Sequence, residues 1–133
     1  MSEASGEDKD LLPFASGRLV KDYSLLREYW RVARERGRED LVEKAMISEA
    51  DYKRVREIVY GRGRVGLADL WDIVTGEVED RIDPDIAEEA AKRLGLNALP
   101  STARRLVARQ LAAWIIEAAE HWKFISAREG GRS

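Results

Sequence analysis

The chain contains no cysteine. Disulfides, zinc–thiolate centres, cysteine-ligated iron–sulfur clusters and a cysteine nucleophile are therefore excluded. His121 is the sole histidine, Asn97 the sole asparagine and Gln110 the sole glutamine, and there are two methionines. Heat-labile side chains are thus nearly absent while arginine, glutamate and aspartate abound. This is the composition of heat-adapted proteins that rely on surface ion-pair networks; a GC-rich mesophile is the other source of so much arginine. No apolar run approaches the ~20 residues of a membrane helix. The longest, 111–116, is far too short. No apolar stretch follows a basic start, so no secretory signal is read and a cytoplasmic location is expected.

What is present fits one globular domain. Hydrophobic residues make up 44% and charged residues 36% of the 133, enough apolar surface to close a core beneath a densely charged exterior. The net charge of −2 is unevenly spread: residues 1–10 carry −3, 11–64 carry +4, 65–91 carry −8 and 92–133 carry +5. The basic blocks either face an acidic partner such as nucleic acid or neutralise the acidic block within the fold.

Residues 1–16 read as an acidic tail, 17–127 as a single helical domain and 128–133 as a second tail. Apolar positions recur at three and four along six segments. The first spans about 22–36, with Asp22 as cap, an apolar stripe of Leu19, Tyr23, Leu26, Trp30 and Ala33, and Gly37 as stop. The second covers about 39–47. In the third, Ser48 and Asp51 form a capping box ahead of Val55, Ile58 and Val59, and the helix runs to Gly61. A short fourth, 67–74, ends at Gly76, and 77–83 is left irregular. The fifth opens on Asp83-Pro84, buries Ile86, Ala90 and Leu94, and closes at Gly95. The last starts at Ser101 and reaches about Ala127, apolar nearly all round its middle. No period of two is sustained. The expected fold is an all-α compact bundle of five or six helices with a long, largely buried C-terminal helix.

Gly61-x-Gly63-x-x-Gly66 spells a dinucleotide fingerprint, but that chemistry needs a strand before it, and residues 53–60 have helical spacing. A loop offering Arg62 and Arg64 to phosphates fits better, as does a plain interhelix loop. Glu117, Glu120 and His121 share a side of the last helix without the paired Glu-x-x-His motifs of a di-iron bundle. The acids between Asp69 and Asp85 do not follow calcium-loop spacing. No metal, cofactor or catalytic constellation is read, which leaves an enzyme as a minor third class.

Residues 87–109 read helix, Gly95 turn, helix. This resembles a helix-turn-helix whose second helix offers Arg104, Arg105 and Arg109 to phosphates or guanine edges, although its link is long for the motif and a plain helical hairpin is the commoner structure. The apolar cluster Leu11, Leu12 and Phe14 either docks on a partner or rejoins the core. Of the four tryptophans, Trp30, Trp71 and Trp114 are assigned to the core and Trp122 to a partner surface. The leading expectation is a non-catalytic adaptor or accessory subunit acting through protein contacts, including self-association, within a nucleic-acid-processing assembly. The alternative is DNA or RNA binding through Arg62, Arg64, Arg104, Arg105 and Arg109.

Overall fold

Local capping accounts for three helix starts, at Ser24, Glu49 and Pro84, and for two helix ends, at Glu35 and Arg93. The computed structural model describes residues 22–61 and 65–132, with side chains as far as residue 120. Among the described residues there are six α-helices and no strand: α1 Ser24–Glu35, α2 Glu39–Lys44, α3 Glu49–Gly61, α4 Leu67–Val78, α5 Pro84–Arg93 and α6 Pro100–Arg132, with a 3-10 turn at Glu79–Arg81. None of the described helices is long and apolar enough to cross a membrane. The all-α class and the long C-terminal helix are those the periodicities require.

Two compact units divide the described chain. One combines Asp22–Met46 with Asp72–Ala112. The other combines Ile47–Trp71 with the chain from residue 113 onward.

In the first unit, α1 packs against α2 and α5. The Asp22 carboxylate accepts from the Ser24 N–H and hydroxyl at 3.0 and 2.6 Å, closing the helix start. A second orphan donor, the Leu26 N–H, is met by Gln110 Oε1 from α6 at 2.9 Å. Gly37, at φ 71°, ends α1 in a Schellman motif: Arg38 N–H reaches Ala33 O and Gly37 N–H reaches Arg34 O. Leu25, Leu26, Tyr29, Val32 and Ala33 are buried. The expected stripe therefore shares Leu26 and Ala33 with the real face, whereas Tyr23 and Trp30 are only half-buried. Helices on two sides widen the buried face beyond one stripe. Trp30 still has a structural task, donating from Nε1 to the Ala45 carbonyl at 3.0 Å.

Asp83 caps α5, accepting from the Asp85 and Ile86 N–H groups at 2.9 and 3.1 Å, with Pro84 at the first helical position. The Asp83 N–H in turn donates to the hydroxyl of buried Tyr29 at 2.8 Å. Gly95, at φ 79°, ends α5 in a second Schellman motif. Leu94, expected on the inner face, is exposed, because it lies beyond the last regular turn.

Several boundaries move from their expected places. Helix α4 does not stop at Gly76 but runs through it to Val78. Gly76 has no positive φ, and burial of Val78 and Ile82 outweighs the ~1 kcal/mol that glycine costs in a helix. Helix α6 begins at Pro100, so Ser101 and Thr102 lie in its first turn instead of capping it. It also continues past Ala127 to Arg132.

In the second unit, the capping box at α3 forms as read. Ser48 N–H donates to Asp51 Oδ2 at 3.0 Å and Asp51 N–H to Ser48 Oγ at 3.4 Å. Val55 and Ile58 of α3, Leu70 of α4, and Ile115, Ile116 and Ala119 of α6 are buried.

Candidate functional site

The hairpin of α5 and α6 carries most of the residues singled out for nucleic-acid contact, and all of its interactions below lie within the first unit. A recognition helix works by holding cations toward solvent, where they can replace counterions on phosphates. Here each of the three arginines meets an acidic group of the same unit. Arg104 donates from Nε to the Glu79 carbonyl at 3.0 Å and from Nη2 to Asp80 at 3.4 Å. Arg105 reaches Glu79 Oε1 and Arg109 reaches Asp72 Oδ1, both at 3.1 Å. Three positive charges are balanced by Asp72, Glu79 and Asp80, so the face projects little net field. The acidic 65–91 block thus supplies the counter-charge for the start of α6. The pairs are partly solvated, and such pairs contribute little stability individually.

The same hairpin turns apolar side chains outward. Leu94 is 39% exposed, Leu96 43%, Leu99 72% and Leu106 37%. Leu99 immediately precedes α6 and Leu106 lies two turns further on, so they share one side of the helix. Leu96 follows the Gly95 stop, where a Schellman motif ordinarily folds an apolar residue back onto its own helix. Scattered exposed leucines are ordinary on protein surfaces. Four of them fall within thirteen residues of this one hairpin.

A charged cluster braces this hairpin against α1. Glu28 is buried and pairs with Arg31 and with Arg93 Nη1, the latter at 3.4 Å. Arg93 also holds Glu35 with two hydrogen bonds, at 2.7 and 3.0 Å, and Glu89 at 3.2 Å. The Arg93 hydrogen bonds keep the Glu35 carboxyl below the usual glutamate range, and the three carboxylates push Arg93 upward. The cluster holds structure; with every member committed to another, it offers no poised acid or base.

The second unit contains an apolar groove of about 40 Å³, lined by Val55, Arg56, Val59 and Tyr60 of α3, Leu70 of α4, and Ile116, Ala119 and Glu120 of α6. That is room for about three waters, or one anchoring side chain, far below the ~300 Å³ at which cofactor sites begin. Among the described residues no three His, Asp or Glu side chains converge as metal ligands.

Arg62, Arg64, Leu11, Leu12 and Phe14 lie outside the described residues, as does the side chain of Trp122. Sequence reading passed over three groups that organise the site: Glu28, Arg93 and Gln110. Glu28 carried a signal, since it adjoins the buried positions at 25, 29 and 32 on a helical wheel. Gln110 carried none, because its partner is 84 residues away.

No protein-family model matches the chain, and neither does any curated protein or solved structure.

Proposed function

We propose that the chain is a non-catalytic helical adaptor or accessory subunit that works through protein–protein contacts, with the leucine surface of residues 94–106 as the docking face. The observation that carries this reading is the division of labour on the hairpin. Its arginines are tied to the protein's own acids, and its leucines are turned to solvent. A protein partner gains from covering apolar area and leaves the ion pairs intact. A nucleic acid would have to separate them. The partner is another protein or a second copy of this chain, and membership of a nucleic-acid-processing assembly is compatible with either. The scarcity of amide and sulfur side chains supports a heat-adapted setting.

The test is a double substitution, Leu99→Glu with Leu106→Glu. Both positions are exposed, so the cost in folding should stay within about 0.5 kcal/mol. Size-exclusion chromatography with light scattering and a pull-down from native cells should show loss of the oligomer or of the co-purifying protein. Retention of both by the folded variant would refute the reading. The nucleic-acid alternative makes the opposite demand. It requires duplex or single-strand binding that weakens steeply with salt, survives the leucine changes and falls on Arg104→Ala with Arg105→Ala.

A further inference from the structure

We draw no further inference here: the strongest candidate, the apolar groove of the second unit between α3, α4 and α6, with Val55, Val59, Leu70, Ile116 and Ala119 along it and Tyr60 exposed at its edge, carries none, because nothing in the structure shows what covers it.

Discussion

Thr75 is the residue at which the first unit is least well satisfied. Its side chain is completely buried, and among the described residues its hydroxyl has no hydrogen-bond partner. A buried hydroxyl that has given up water without replacement costs about 1–3 kcal/mol, whereas a methyl group of the same size would cost nothing. Thr75→Val should therefore raise stability by about 1 kcal/mol, seen as a higher denaturant midpoint with an unchanged slope. A lower midpoint would mean that the hydroxyl has a partner the geometry does not reveal. The contrast with Tyr29 is instructive. That hydroxyl is buried too, but it receives the N–H of Asp83, and the same residue that fills the core also steadies the start of α5.

Among the elements, the glycines separate by backbone conformation. Gly37 and Gly95 end α1 and α5 at positive φ, where any side chain strains the backbone although a Cβ would meet nothing within 4 Å. Gly76 has the same open space but lies inside α4 with ordinary helical geometry. Gly95→Ala should destabilise by about 1–2 kcal/mol, and Gly76→Ala should stabilise by about 1 kcal/mol. Opposite shifts in thermal midpoint for one chemical change would confirm that φ, not space, decides. The same distinction explains what could be read from the sequence. Asp83-Pro84, the Ser48–Asp51 box and the stops at Gly37 and Gly95 are local chemistry and were legible. Gly76 was misread as a stop because the burial of Val78 and Ile82 that carries α4 past it depends on contacts distant in sequence. The outward turn of Leu94 was hidden for a related reason: periodicity places a residue on a face but does not say where the last regular turn ends.

On the scale of the whole molecule, charge organisation should set the pH range of stability. Hydrogen bonds from Arg93 and Arg38 hold the Glu35 and Asp40 carboxyls below their ordinary values. As pH falls below about 4.5, the unfolded chain takes up protons there before the folded one, so stability declines toward acid. Burial raises the Tyr29 hydroxyl above its ordinary value. Above about pH 10 the unfolded chain releases that proton first, and stability declines again. Thermal midpoints should decline outside these limits, and Tyr29→Phe should soften the alkaline fall; an unsoftened fall would assign it to other groups. Block charges were visible in the sequence, including the possibility that the acidic block serves the protein's own arginines. The particular pairs, Arg104 with Asp80, Arg105 with Glu79 and Arg109 with Asp72, needed three dimensions, since the partners stand 24, 26 and 37 residues apart. The indole of Trp30 adds an optical consequence. Its N–H is engaged by Ala45 inside the first unit, whereas Trp71 and Trp114 belong to the second. Chains retaining Trp30 alone, or Trp71 and Trp114 alone, would fluoresce as separate reporters, and the order in which their emission shifts to the red on heating would reveal which unit loosens first.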